Sequence, residues 1–104
     1  MQRNAFKMQL KPGVIAEYKK RHDEIWPELE KELRAAGISD YSIFLDEETL
    51  TLFATQKLAE NNSAAGLRDL PIMKKWWDYM APLMEVHADN SPVAVPLKEV
   101  FHLE

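Results

Sequence analysis

The stretch DYSIFLDEETLTLFATQKL, Asp40 to Leu58, decides the fold because two strand-like runs flank an acidic turn. The first run extends from about Ser39 to Asp46, and the second extends from about Leu50 to Leu58. Runs of alternating apolar residues that are separated by a short polar turn are typical of a β-hairpin. We therefore predict two antiparallel strands in the middle of the chain.

Both faces of this hairpin carry bulky apolar residues. Ile43 and Leu45 point to one side and Phe44 to the other, and in the second strand Leu52 opposes Phe53. A sheet that is covered by helices on one face only is usually polar on its second face. The pattern therefore predicts that the second face packs against the sheet of another copy, so that the protein is a homodimer.

The N-terminal third predicts one strand and then helical structure. Residues 3–10 alternate between apolar and polar side chains, as in a half-buried strand. From Val14 the apolar residues recur at helical spacing, and Gly37 supplies a C-terminal stop. Pro27 lies inside this pattern, on its charged side. We expect either one kinked helix or two short helices that meet at Trp26.

The C-terminal half completes the order of elements. Residues 60–70 are turn-like and then weakly helical, and a firmer helix is predicted from Pro71 to about Met84. A loop follows over residues 87–96, and the LKEVFHL segment, 97–103, is predicted to be a final strand. The chain is thus expected to be a single domain, residues 1–104, of the α+β class. Its order β-α-β-β-α-β is the ferredoxin-like arrangement with an antiparallel sheet.

Composition and charge exclude several classes of protein. The formal net charge is −4, which argues against nucleic-acid partners and anionic membranes. The sequence has no cysteine, so thiolate metal sites and cysteine nucleophiles are ruled out. No apolar run approaches the ~18 residues that span a bilayer, and the N-terminus shows no signal-peptide pattern. A cytoplasmic location is expected.

Two polar aromatic residues lie on the apolar side of the first helical segment. Tyr18 and His22 are four positions apart, so their side chains are within contact distance on a helix. A histidine that is simply hydrogen-bonded in the core and a catalytic histidine both fit this position. Tyr41, which opens the hairpin, shares a face with Ile43. If that face meets the helices, Tyr41 converges on the same cavity.

The stretch KKWWDYM, Lys74 to Met80, places two indoles side by side on a helix. Neighbouring helical residues diverge by ~100°, so Trp76 and Trp77 lie on the two flanks of the apolar arc. They predict two walls of a pocket above Met80. An aromatic core combined with a dimer contact explains them equally well.

Other polar residues give no metal or nucleotide motif. His87 and His102 are too scattered to form a cluster with His22, and the chain has only three glycines and no phosphate-binding loop. We expect neither a metal nor an organic cofactor. Asp89 and Asn90 fit a cap over the pocket as well as they fit a turn.

Several stretches together resemble the L-rhamnose mutarotase family over essentially the whole chain. The matching segments are AFKMQLKPGVIAEYKKRHDEIWPELEKEL at 5–33, YSIFLD at 41–46, KKWWDYM at 74–80 and DNSPVAVPLKEVFHL at 89–103. The resemblance implies a dimeric ferredoxin-like α+β barrel that interconverts the anomers of L-rhamnose. It also implies that His22 is the proton donor and that four residues contact the sugar, namely Tyr18, Tyr41, Trp76 and Trp77.

The implied mechanism is acid–base opening and closure of the sugar ring. We hypothesise that His22 protonates the ring oxygen on opening and takes the proton back on closure, because an imidazole exchanges protons near neutral pH. The complementary base stays open between water and Tyr41. Two alternatives remain at this point: a haem-degrading or cofactor-free monooxygenase of the dimeric-barrel type, and a non-catalytic sugar-sensing module.

Overall fold

The computed structural model describes all 104 residues, and its strands and helices follow the predicted order. The α-helices and strands are β1 (Gln2–Gln9), α1 (Ile15–Asp23), α2 (Pro27–Ala35), β2 (Ile38–Asp46), β3 (Thr51–Leu58), α3 (Pro71–Met80) and β4 (Val95–Pro96). Two short 3-10 helices, Ala64–Asp69 and Ala81–Leu83, flank α3. None of the helices is both long and apolar enough to cross a membrane.

The four strands form one antiparallel sheet in the order β2-β3-β1-β4. This order, with the first and third strands in the centre, confirms the ferredoxin-like α+β prediction. The helices cover one face, and the core lies between them and the sheet. The side chains of Met8, Leu10, Leu52 and Ala54 point from the central strands into this core.

The helical segment before the hairpin consists of two separate helices, so the second of the two predicted alternatives is correct. Pro27 is the first residue of α2, where its missing N–H costs no helical hydrogen bond. The residue before a proline is pushed away from the helical region, and Trp26 is accordingly extended with ψ 128°. The chain therefore turns between Asp23 and Pro27.

A one-residue bulge interrupts the pairing of β2 with β3 between Ser39 and Ser42. Asp40 lies there with a φ of +49°, a left-handed conformation that Asp tolerates better than most residues. The extra residue changes the alternation, so that Ile38 and Tyr41, three positions apart, both point to the helix-covered face. The predicted grouping of Tyr41 with the inward side of the hairpin is thus correct.

Two predicted boundaries differ from the structure. The α-helix that begins at Pro71 ends at Met80, because Pro82 cannot continue the helical hydrogen bonds and a 3-10 turn follows. The final strand predicted at 97–103 is wrong. The regular pairing of the C-terminal segment ends with β4. Leu97 still donates a backbone hydrogen bond to Ala5, and Glu99 forms an ion pair with Arg3, but the apolar side chains of Val100, Phe101 and Leu103 are exposed because nothing in the chain covers them.

Gly37 ends α2 in a conformation that a side chain disfavours. Its φ is +90°, and a Cβ added there would lie 3.1 Å from the Cβ atoms of Ala59 and Asn62. We predict that Gly37→Ala lowers the free energy of unfolding by about 1–3 kcal/mol, the usual range for such strain. The measurement is the midpoint of urea denaturation. Gly66→Ala is the matched control, because Gly66 has no atom within 4 Å of an added Cβ; equal midpoints for the two variants would contradict this account.

Candidate active site

The conformation of His22 is set by its own helix. Tyr18 and His22 lie one turn apart on α1, with ring centroids 4.4 Å apart. The Nδ1 atom of His22 is 3.1 Å from the backbone carbonyl oxygen of Tyr18. Because a carbonyl oxygen only accepts hydrogen bonds, Nδ1 carries the proton in the neutral ring. The other nitrogen, Nε2, has no hydrogen-bond partner within the chain.

His22 is neutral at pH 7. Burial lowers its pKa from the ordinary value of 6.5, because desolvation disfavours the charged imidazolium. The hydrogen bond to the Tyr18 carbonyl and the nearby Asp23 carboxylate oppose this effect but do not outweigh it. The resting form is therefore an imidazole with a free lone pair on Nε2.

The two tyrosines of the site are also neutral. Burial raises the pKa of Tyr18, and the adjacent Tyr41 adds to this shift. Burial raises the pKa of Tyr41 to about 12, although 40% of the residue's surface is exposed. The raised pKa and the exposed surface of Tyr41 are both explained by a ring whose hydroxyl points inward while another edge faces solvent. Neither hydroxyl has a hydrogen-bond partner within the chain, so both are available as donors to a ligand.

The two adjacent tryptophans of α3 form different parts of the wall. Trp76 is 8% exposed and stands edge-on to the His22 ring, with centroids 5.5 Å apart and an interplanar angle of 86°. Trp77 is half-buried and packs on the other side of the same core. The side-by-side indoles therefore diverge as the helical period predicts.

A cavity of about 1210 Å³ brings all five sequence-predicted residues together. Ligand pockets are typically ~300–1,000 Å³, so this space accommodates a small polar molecule with room to spare. Most of the lining is apolar, from Phe6 and Met8 on the sheet to Met80 on α3. The members of the predicted set that line it are Tyr18, His22, Tyr41, Trp76 and Trp77.

The loop after α3 forms part of the rim by turn chemistry. Asn90 adopts a φ of +67° and its amide donates a hydrogen bond to Asp78, 2.9 Å away. The Asp89 carboxylate accepts hydrogen bonds from the backbone and the hydroxyl of Ser91, which lowers the pKa of Asp89. Asn90 and Ser91 line the cavity, whereas the exposed Asp89 holds the turn. No group of three or more His, Asp or Glu side chains is arranged to hold a metal ion.

Three further residues, Trp26, Tyr79 and Arg21, lie behind Trp76 rather than on the cavity lining, and the sequence analysis did not single them out as site residues. Trp26 stands edge-on to Trp76 at 5.0 Å and is tilted against Tyr79 at 5.4 Å. The Arg21 guanidinium lies 4.1 Å above the Tyr79 ring. The position of Tyr79, three residues after Trp76 on one helix, was a usable signal. The contacts of Trp26 and Arg21 join separate elements, which periodicity does not reveal.

A family model described as L-rhamnose mutarotase matches residues 3–103. The chain belongs to the L-rhamnose mutarotase family. The resemblance inferred from the sequence motifs is thereby confirmed.

Relatives and a solved structure match over the full length. An L-rhamnose mutarotase from Sinorhizobium fredii is 59% identical over 103 residues, which are 99% of each chain. One from Bacteroides thetaiotaomicron is 57% identical over 104 residues, the whole of both chains. The crystal structure of an L-rhamnose mutarotase from Formosa agariphila has a TM-score of 0.92 and 53% sequence identity, and the match covers 100% of both chains.

The protonation state of His22 is directly testable. We predict that long-range ¹H–¹⁵N NMR spectra show the Nδ1–H tautomer and a pKa below 6.5, because burial disfavours the charged form. The His22→Asn variant assigns the signal by its disappearance. An Nε2–H tautomer, or a pKa above 6.5, would contradict the geometry described.

Proposed function

We propose that this protein catalyses the interconversion of the α and β anomers of L-rhamnose. The main support for this proposal is that His22, Tyr18 and Tyr41 line one largely apolar cavity. The Nε2 atom of His22 and the two tyrosine hydroxyls have no hydrogen-bond partner within the chain. No buried side-chain nitrogen or oxygen lacks a partner in the chain, so these three atoms are open to the cavity and free to bond a polar ligand. The identity of the sugar is inferred from the names of the full-length relatives.

The reaction needs one proton removed and one proton supplied. When a cyclic hemiacetal opens, the anomeric hydroxyl loses its proton, the bond from the anomeric carbon to the ring oxygen breaks, and the ring oxygen gains a proton. Closure on the other face of the resulting carbonyl reverses these events and gives the second anomer. No electrons are transferred, so acid–base groups and positioning are sufficient.

His22 is proposed to carry the proton in both halves of the reaction. The neutral Nε2 takes the proton of the anomeric hydroxyl, and the imidazolium so formed protonates the ring oxygen as the ring opens. Both oxygens are bonded to the same carbon, so one nitrogen can serve both. The lowered pKa of His22 supports this cycle, because the resting ring is a base and its protonated form is a stronger acid than an ordinary imidazolium.

The tyrosines are proposed to bind the sugar rather than to remove its proton. The sequence left Tyr41 and water open as the complementary base. A pKa of about 12 for Tyr41 leaves almost no phenolate at neutral pH, which argues against that role. As neutral phenols, Tyr18 and Tyr41 donate hydrogen bonds to sugar oxygens and hold the ring beside Nε2.

Trp76 and Trp77 are proposed to pack against the apolar parts of the sugar. A deoxyhexose presents C–H groups and a methyl group, which are well matched by aromatic faces and edges. The two indoles lie on separate flanks of α3, so they contact different parts of a bound ring. The comparisons give no support to the alternative monooxygenase or sugar-sensing functions. A cytoplasmic location stays a prediction from the sequence.

Replacing His22 tests the catalytic assignment. We predict that His22→Asn slows the exchange between L-rhamnose anomers by about 10²- to 10⁴-fold, the usual contribution of a positioned acid or base. The measurement is saturation-transfer NMR between the two anomeric signals, corrected for exchange without protein. His102→Asn makes the same chemical change on an exposed terminal residue and is expected to exchange at the wild-type rate. Equal rates for the two variants would remove His22 from the mechanism.

The pH dependence distinguishes a resting base from a resting acid. Above its lowered pKa, His22 is neutral and able to accept the anomeric proton. We predict that kcat/KM falls as the pH is lowered through this pKa, with a midpoint below 6.5, and is level above it up to neutral pH. If the imidazolium were instead the resting reactive form, kcat/KM would decline as the pH rises over the same interval.

The protein is further proposed to be a homodimer in which two sheets pack face to face. Phe44 and Phe53 are directly paired across β2 and β3 on the face without helices. They are 64% and 38% exposed, which is unusual for adjacent aromatic residues in a monomer. A second copy offers the same apolar pair and is therefore a self-complementary partner.

Charge introduced on this face is predicted to separate the dimer. Phe44→Lys places an unpaired ammonium in the proposed interface and is expected to shift the mass measured by analytical ultracentrifugation from dimer to monomer. Glu48→Gln changes the net charge by the same amount in the exposed hairpin turn and is expected to leave the mass unchanged. A wild-type protein that is monomeric at all concentrations would overturn the proposal.

A further inference from the structure

Arg21 makes three contacts, and two of them connect α1 to the end of α3. Its Nε atom is 2.6 Å from a carboxylate oxygen of Glu17, one turn earlier on α1. A second guanidinium nitrogen donates a hydrogen bond to the backbone carbonyl of Tyr79, in the last turn of α3. The guanidinium plane also covers the Tyr79 ring, and the side chain is only 19% exposed. Carbonyls at a helix C-terminus favour such a cation.

The Tyr79 ring, which Arg21 holds in place, contacts a tryptophan that lines the cavity. Tyr79 is tilted against both Trp26 and Trp76, at centroid distances of 5.4 Å and 5.7 Å. Trp26 and Trp76 in turn meet edge to face at 5.0 Å, and Trp76 meets His22 in the same way at 5.5 Å. The contacts form a continuous series from the guanidinium to the imidazole. Arg21 itself is adjacent to His22 in sequence, so the series closes into a ring of contacts.

We propose that Arg21 is a positioning residue, which clamps Tyr79 and thereby holds the Trp76 indole against the His22 imidazole. The inference rests on the proposed catalytic role of His22 and adds residues that do not contact the sugar. Small displacements of a positioned group cost large factors in rate, since reacting atoms must approach within ~3–3.5 Å. Removal of the clamp frees Trp76 to move and admits water to one side of the imidazole.

Lysine is not an equivalent clamp at this position. A guanidinium is planar and donates in several fixed directions, so it bonds the carboxylate and the carbonyl while it covers a ring. An ammonium is a compact, strongly hydrated charge and does not do all three. Arg21→Lys therefore keeps the charge of α1 while it loses the clamp.

The environment of His22 gives a readout that is independent of activity. The titratable groups that face the imidazole are Tyr18 and Asp23 on α1, and Tyr41 on β2 acts on Tyr18, whereas α3 presents the uncharged Trp76. A loosened Trp76 hydrates the imidazole, so the pKa of His22 rises toward 6.5. A purely structural role of Arg21 would lower the melting temperature and leave this pKa unchanged.

The test compares five variants of the full chain. Arg21→Met and Tyr79→Leu break the clamp from either side, and only the first changes the charge. Each is expected to reduce kcat by about tenfold or more, with KM affected less, and to raise the pKa of His22 measured by NMR without sugar. The double variant is expected to be no slower than the slower single variant, because both remove one interaction. Arg21→Lys is expected to resemble Arg21→Met, and Tyr79→Phe, which keeps the ring, is expected to keep the wild-type pKa of His22.

Lys20→Met provides the matched control. Lys20 is an exposed residue of the same helix and does not line the cavity. Lys20→Met removes the same charge as Arg21→Met and is expected to leave both the exchange rate and the pKa of His22 at wild-type values. A wild-type rate and pKa in Tyr79→Leu or Arg21→Lys would overturn the inference. If His22→Asn loses activity but the pKa of His22 is unchanged in Tyr79→Leu, only the positioning role of Arg21 is rejected. If His22→Asn keeps full activity, the catalytic role of His22 is rejected.

Discussion

The absence of one N–H group, that of Pro27, determines how the site is built. Proline cannot continue the hydrogen bonds of α1, and it keeps Trp26 in an extended conformation. The chain therefore turns after Asp23, and the indole of Trp26 meets Trp76 and Tyr79 instead of following the axis of a single long helix. Since α1 also carries Tyr18 and His22, this turn brings Trp26 behind Trp76, which contacts the His22 ring.

Electrostatically, the candidate site is made of neutral groups, and the proposed mechanism uses them for proton exchange. The tautomer of His22 is fixed by a carbonyl four residues earlier on the same helix, so it does not depend on the distant parts of the fold. Burial moves the pKa values of the imidazole and the phenols in opposite directions, down for the first and up for the second. Both pKa shifts favour the uncharged side chains, because burial removes water from the charged form of each group. Proton exchange can then begin without first breaking an ion pair.

Much of the fold was accessible from the sequence because the local patterns agree with the tertiary structure. The alternation in β1, the hairpin, Gly37 and Pro71 all predicted elements that the structure contains. The final strand at 97–103 was predicted wrongly: beyond β4 only Leu97 donates a backbone hydrogen bond to β1, and the apolar side chains that produce the strand-like pattern are exposed. Side-chain partners between elements were the least accessible: the contact of Arg21 with Tyr79 spans 58 positions, and no spacing rule indicates it.

The bulge at Asp40 links the length of β2 to the shape of the cavity, because Asp40 and Tyr41 both line it. Without the extra residue, Ser39 and Tyr41 would follow each other in a regular ladder, and every inward side chain of β2 would keep its face. What would change is the local bend and twist of the strand, and with it the angle at which the Tyr41 phenol enters the cavity. A shortened strand would thus be an intact scaffold with an altered binding surface. Length variation at this point offers a route to new ligand shapes that spares the rest of the domain.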